Sequence, residues 1–211
     1  MGGLAREYPA TLCVVLAGGR ARRMGGGDKG RIDIGGATIL DRALARLRPQ
    51  CDRLIINAPD PARFADTGLP VVADSVPDHS GPLAGILAGL DWTAAHAAEI
   101  AWVISTPSDC PFLPHDLVAR LHQARTNADA TLGCARSADR RHPVVALWPV
   151  NLRDDLRRGL AENVRKVMEW TARYTVGIAE WPAVPVDPFF NVNTPEQAAE
   201  AARLAASYPD A

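Results

Sequence analysis

Short apolar runs alternate along the chain with segments whose apolar residues recur every three or four positions. Residues 11–17 (TLCVVLA) are almost wholly apolar and are closed by Gly18-Gly19, the pattern of a strand buried on both faces of a parallel sheet. Leu40, Ala43, Leu44 and Leu47 fall at i, i+3, i+4 and i+7, one apolar helix face that Pro49 ends. The same reading predicts strands at 53–57, 70–73 and 100–105 and helices at 82–98 and 114–125. Residues 130–148 break the alternation with two strand-like runs, TLGCA and PVVALW, joined by the polar link RSADRRH, which reads as a hairpin or an antiparallel excursion. Helices are expected at 152–160 and 164–173, and strand-like pieces at 175–179 and 189–192. Thr194-Pro195-Glu196-Gln197 opens a last helix ending near 207, with Thr as N-cap, Pro at the first helical position and Gln completing a capping box.

Strands separated by helices imply right-handed βαβ crossovers, hence an α/β fold of three Rossmann-like layers around a mostly parallel sheet with a small antiparallel excursion. No internal repeat, low-complexity linker or charge block divides the chain, so residues 11–207 are expected to form one domain behind a disordered tail at 1–10.

A length of 211 residues with 47% hydrophobic and 22% charged residues permits an ordinary core and excludes collagen, coiled coil and disorder. Lys and Arg number 23 against 24 Asp and Glu, a net charge of −1, so no global field draws the chain to nucleic acid or an anionic membrane. No apolar stretch approaches the roughly 20 residues that span a bilayer, and the first ten lack the apolar core of a signal peptide. Arg6 stands where a myristoylation motif needs Ser or Thr, so no membrane partner is expected. Cys13, Cys51, Cys110 and Cys134 lie far apart without a CxxC pair, which suggests neither zinc nor disulfides and fits a reducing, cytoplasmic location.

In an open parallel α/β sheet, ligands bind beyond the carboxyl ends of the strands, so the loops there are the place to look for chemistry. The first, residues 16–30 (LAGGRARRMGGGDKG), combines six glycines, three arginines and a lysine, supplying open backbone N–H groups and positive charge for a polyphosphate. Gly25, Gly27 and Gly30 satisfy G-x-G-x-x-G but lie too far past the strand for a dinucleotide fingerprint, and Lys29 is followed by Gly30 rather than the hydroxyl residue of a Walker A loop. The second has Asp74 after a strand and then GPLAG, where Gly81 and Gly85 let a ligand approach a helix N-terminus. In the third (TPSDCP), Asp109 stands between prolines as a hard oxygen ligand suited to Mg²⁺ carrying phosphate. In the fourth, Asn191 and Asn193 are two residues apart, so their amides point to one side of an extended segment. The histidines show no metal spacing, and no G-x-S-x-G elbow is present.

LAGG-x3-RMGG-x-DKG resembles the opening motif of the nucleotidyltransferases that move NMP from an NTP, and specifically of the molybdenum cofactor guanylyltransferases. Asn57, Asp74, GPLAG at 81–85, PSDCPF at 107–112, HPVVAL at 142–147 and FNVNTPE at 190–196 follow in the family's order, and the resemblance runs from about residue 11 to 206. It implies a nucleotidyltransferase fold and transfer of GMP from GTP to the terminal phosphate of molybdenum-molybdopterin, with release of pyrophosphate. It further implies that Leu16, Ala17 and Gly18 contact the nucleotide, Lys29 binds its phosphates, Asn57 and Asp74 help hold the guanosine, and Asp109 ligates Mg²⁺. Gly19, Arg23, Gly81, Gly85, Asn191 and Asn193 are implied as further active-site positions, with Lys29, Arg23 and Asp109 as the catalytic set. Ser108 and Cys110 stand where the family commonly has Cys and Thr, leaving the aspartate in place. Implied partners beyond the substrates are other cofactor-biosynthesis proteins and apo-molybdoenzymes. The alternatives are a cytidylyltransferase on the same cofactor, another small NTP-transferase, or a non-catalytic module that binds and delivers nucleotide or pterin.

Overall fold

The computed structural model describes residues 8–18, 29–76 and 81–209. Among these, seven strands form one sheet in the order β3-β2-β1-β4-β6-β5-β7. The strands are β1 (Thr11–Leu16), β2 (Arg53–Asn57), β3 (Val71–Val72), β4 (Trp102–Pro107), β5 (Leu132–Ser137), β6 (Arg140–Pro149) and β7 (Val176–Trp181). The pairs β1–β2, β2–β3, β1–β4 and β5–β7 are parallel; β6 runs against both of its neighbours, β4 and β5. The expected α/β architecture, mostly parallel with one antiparallel excursion, is present.

Alternate residues of the buried strands feed opposite faces, as the period of two requires. Cys13, Val15 and Ile56 pack with Leu40, Leu44 and Leu47 of α1 (Ile39–Leu47) and Leu117, Val118 and Leu121 of α3 (Leu117–Asn127). Leu12, Val14 and Ile55 pack on the other face against Leu83, Ile86, Leu87 and Leu90 of α2 (Pro82–His96), with α4 (Arg153–Ala161) and α5 (Val167–Thr171) extending that layer. The last helix, α6 (Pro195–Ser207), closes a smaller cluster in which Ala201, Leu204 and Ala205 meet Ile34, Ile39, Phe112 and Val192. α1 begins where the Thr38 side chain accepts from Asp41 N–H, and its five buried apolar residues form the predicted face. α2 is apolar almost all round because it lies between the sheet and α4, and Gly89 lets it approach closely: a Cβ there would stand 2.8 Å from Val14 Cγ1.

Five expectations need correction. The expected hairpin forms, but the link RSADRRH is shorter than its polarity suggests, because both strands run into it and only Ala138 and Asp139 turn, with φ of 45° and 58°. Positive φ at both central residues is the hairpin geometry whose twist matches the flanking strands. Residues 189–192 form no strand; Phe189 lies in a turn, and Val192 N–H donates to Asp109 O at 3.0 Å, tying the segment to the chain just past β4 without a ladder. The helix expected at 164–173 shortens to α5, and α3 starts at Leu117 because Pro114 lies in a preceding turn rather than in the first helical turn. Tyr8, assigned to the tail, is held in place: its hydroxyl donates to Gln50 O at 2.9 Å and its ring stacks on His122.

Candidate active site

β1 lies between β2 and β4, so the chain leaves β1 toward one side of the sheet and later returns to the other. That makes a switch point at the carboxyl ends of β1 and β4, where an open α/β sheet forms a crevice. Two backbone bonds tie this edge together: Ala17 N–H donates to Asn57 O at 2.8 Å, and Ser108 N–H to Leu16 O at 3.1 Å. Leu16 to Gly18 are thereby set between the β2 and β4 exits.

On the β4 side, Asp109 and the segment before α6 come together. Asn191 Nδ2 donates to Asp109 Oδ1 at 2.9 Å, and Lys29 Nζ donates to Asn193 Oδ1 at 2.6 Å. Each of the two asparagines thus engages a different charged candidate. The capping box helps to place them: Gln197 N–H donates to Thr194 Oγ1 at 3.3 Å, while Gln197 Oε1 accepts from Asn193 N–H at 2.7 Å. The glutamine thus reaches one residue further back than the standard box and fixes the amide that holds the lysine. Burial pushes the Asp109 carboxyl above the usual carboxylate range, opposed by the Asn191 hydrogen bond and the Lys29 charge.

On the β2 side, Asn57 Nδ2 donates to Val72 O at 3.2 Å and to Asp74 Oδ1 at 3.0 Å, so a buried amide holds an exposed carboxylate at the rim. Gly85 packs directly on this pair, because a Cβ there would collide with Asn57 Oδ1 and stand 2.7 Å from Leu16 Cδ2. Gly81 caps α2 at φ 132°, a conformation open to glycine. The described candidates therefore form two clusters, Asn57–Asp74–Gly85 and Lys29–Asn193 with Asp109–Asn191, on either side of Leu16–Gly18. Gly19 and Arg23 lie outside the described residues.

Among the described residues no group of three or more His, Cys, Asp or Glu side chains is arranged to hold a metal. The lone Asp109 carboxylate, disfavoured in its charged form by burial, fits instead a hard cation that completes its shell with substrate oxygens and water, the manner of Mg²⁺.

A cavity of about 310 Å³ opens beside Asn191, lined also by Pro107, Cys110, Phe189 and residues 140–145. Arg140 and Arg141 do not stand out in the sequence, where loops following strands carry the ligand signal, and His142 enters only as the first residue of the HPVVAL motif. β6 runs backwards, so its beginning, rather than its end, lies at the functional edge. Two adjacent arginines in a link with a single acidic residue were the available signal.

No helix among the described residues is long and apolar enough to cross a membrane. Residues 13–176 match the MobA-like NTP transferase domain. A molybdenum cofactor guanylyltransferase from Rhodopseudomonas palustris (strain BisB5) is 60% identical over 201 residues, spanning 94% of this chain and 96% of its own. Another from Nitrobacter hamburgensis is 58% identical over 202 residues, spanning 95% and 97%. The solved structure of molybdopterin-guanine dinucleotide biosynthesis protein A from Archaeoglobus fulgidus shares the fold, with a TM-score of 0.72 at 21% identity over 93% of this chain and 99% of that one. With the switch-point site in place and this identity maintained over nearly its whole length, the chain belongs to the MobA-like NTP transferase family.

Proposed function

We propose that the protein transfers GMP from GTP to the terminal phosphate of molybdopterin carrying molybdenum, forming the guanine dinucleotide cofactor and releasing pyrophosphate. The convergence of Lys29–Asn193 and Asp109–Asn191 at one sheet edge supports this reading most directly, and the guanylyltransferase relatives supply the substrates. Residues 11–207 act in it as one domain built on the single sheet.

The acceptor is a phosphate monoester with a second pKa of about 6, so near pH 7 it is largely a dianion and needs no protein base. Its oxygen attacks the α-phosphorus of GTP, the bond from that phosphorus to the bridging oxygen breaks, and the electron pair leaves with pyrophosphate. The protein's task is positioning and charge compensation. Leu16, Ala17 and Gly18 line the nucleotide, and Asn57 and Asp74 hold the guanosine. Gly81 and Gly85 keep the start of α2 open. Lys29, steadied by Asn193, offsets charge on the phosphates, while Asn191 orients Asp109. Arg23 and Gly19 join this set through the sequence motif. Asp109 would hold Mg²⁺, which when bound supplies further positive charge against the α-phosphate and the departing pyrophosphate. Use of GTP and the four buried free cysteines support a cytoplasmic reaction. Other cofactor-biosynthesis proteins and apo-molybdoenzymes are the expected partners.

The test is the melting temperature with GTP, CTP or ATP, each with and without Mg²⁺, since a ligand at 100 times its Kd stabilises by about 2.7 kcal/mol. The largest shift is expected with GTP and Mg²⁺, followed by acceptor-dependent pyrophosphate release. A larger shift with CTP would replace this reading with the cytidylyltransferase, and binding without release would replace it with a delivery module.

A further inference from the structure

The cavity beside Asn191 joins an apolar wall to a basic rim. Pro143, Val144 and Val145 of β6 line it with Phe189, and the His142 ring lies 4.6 Å from the Phe189 ring. Arg140 and Arg141 line it as well and are exposed, and neither has an ion-pair partner among the described residues. The acids around them are engaged elsewhere. Asp139 pairs with Arg136 at 2.8 Å, Glu180 with Arg136 at 3.6 Å, and Asp187 Oδ1 accepts from Ser137 Oγ at 2.7 Å and from Phe189 N–H at 3.0 Å. Arg141 stands directly across the ladder from Arg136, which takes up Asp139 and Glu180 and leaves neither to Arg141.

His142 has a defined tautomer. Ser137 Oγ spends its one proton on Asp187, so it must accept from His142 Nε2 at 2.8 Å. Nδ1 of the neutral ring is then an acceptor, and burial, reinforced by the Arg140 charge, lowers the ring's pKa and keeps it neutral near pH 7. Asn191 lines the cavity and also bonds Asp109, so a molecule seated there ends beside the carboxylate.

We infer that this cavity receives the acceptor of the transfer: Arg140 and Arg141 bind its anionic groups, and Pro143, Val144 and His142 Nδ1 take its flat, N–H-bearing fused ring. Two guanidinium charges match a phosphate dianion, and the apolar wall matches a heterocycle face. The inference rests on the acceptor named above and adds where it binds.

The test is the double variant Arg140→Ala/Arg141→Ala, whose side chains make no ion pair among the described residues. Three quantities are read: the melting shift with GTP and Mg²⁺, retention of metal-free molybdopterin in equilibrium ultrafiltration without nucleotide, and initial rates. The GTP shift should be unchanged, while the Kd for molybdopterin and the KM for the acceptor should both rise about tenfold or more with kcat little altered. Arg140→Lys/Arg141→Lys should recover part of the loss. Equal retention by the variant and the native protein, or no retention by the native protein, would overturn the inference. Molybdopterin retention that depends on the arginines, without pyrophosphate release, would instead sink guanylyl transfer and leave the subsite standing.

Discussion

Lys29 and Asn193 lie 164 residues apart in sequence and are joined by a 2.6 Å hydrogen bond from Nζ to Oδ1. The lysine follows a glycine-rich stretch of sequence and carries a long, rotamer-rich side chain, which this amide orients. Asn193→Ala should lower kcat/KM for GTP by about tenfold, the scale of a hydrogen bond to a charged group, with little change in melting temperature. In the pair Lys29→Met and Lys29→Met/Asn193→Ala, the second substitution should add almost nothing. Additive losses would show that Asn193 acts independently of the lysine.

Asp109 gives a prediction of opposite sign for stability and activity. Burial raises its pKa, so the native protein holds this proton more tightly than the unfolded chain, and the stability it contributes at low pH is lost as pH rises through the raised native value. In a chelator, Asp109→Asn should therefore melt above the wild type at pH 7, with the advantage shrinking as pH approaches 4. Turnover should fall by several orders of magnitude, and the Mg²⁺-dependent part of the GTP melting shift should disappear. A variant that still gains stability from Mg²⁺ with GTP would remove Asp109 from the metal site.

Gly85 and Gly89 lie on one face of α2 but meet different neighbours. A Cβ at Gly85 collides with the Asn57 side chain, and one at Gly89 strikes Val14 in the core. Either substitution to Ala should cost about 1–3 kcal/mol by overpacking. Only Gly85→Ala should also reduce the melting shift with GTP, because it displaces the amide that holds Asp74. Equal nucleotide shifts in the two variants, scaled to their own melting temperatures, would contradict the placement of Asn57 in the site.

His122 sets an acid limit on stability away from the site. Thr11 Oγ1 donates to Pro9 O at 2.8 Å and so accepts from His122 Nε2 at 2.8 Å, while Nδ1 is buried without a partner among the described residues. Burial, with the Arg125 charge adding to it, pushes the imidazole pKa down to about 4. The unfolded chain takes up a proton near pH 6.5 that the native ring refuses until about 4, so this contribution is complete above pH 6.5 and is lost as pH falls through that window. His122→Phe keeps the ring contacts with Tyr8 and Trp102, and its melting temperature relative to wild type should rise steadily from pH 7 to 4.5. A difference independent of pH would contradict the buried neutral ring.

Much of the nucleotide side was legible because its signals are local. The buried β1 run, the apolar face of α1 and the Thr194–Gln197 cap each lie within a few residues, and each forms in place. Asp109, Asp74 and Asn57 follow strands, where a parallel sheet presents its ligands. The hairpin at 130–148 is legible, but the tightness of its turn is not, because Ala and Asp at positive φ carry no glycine signal. Residues 189–192 read as a strand because apolar residues flank Asn191, although the segment pairs with no ladder.

By itself, the sequence determined the alternation of strands and helices, the four loops rich in phosphate- and metal-binding residue types, and the family through its motifs. Only the tertiary structure decided that β1 sits between β2 and β4, which brings Asn57 and Asp109 to one edge, and that β6 runs backwards, which delivers Arg140 and His142 to that same edge. Periodicity records which face of an element is buried, a property of neighbouring residues. Strand order and direction depend on which distant backbone completes the hydrogen bonds and which core each face covers, and that is settled only when the whole sheet assembles.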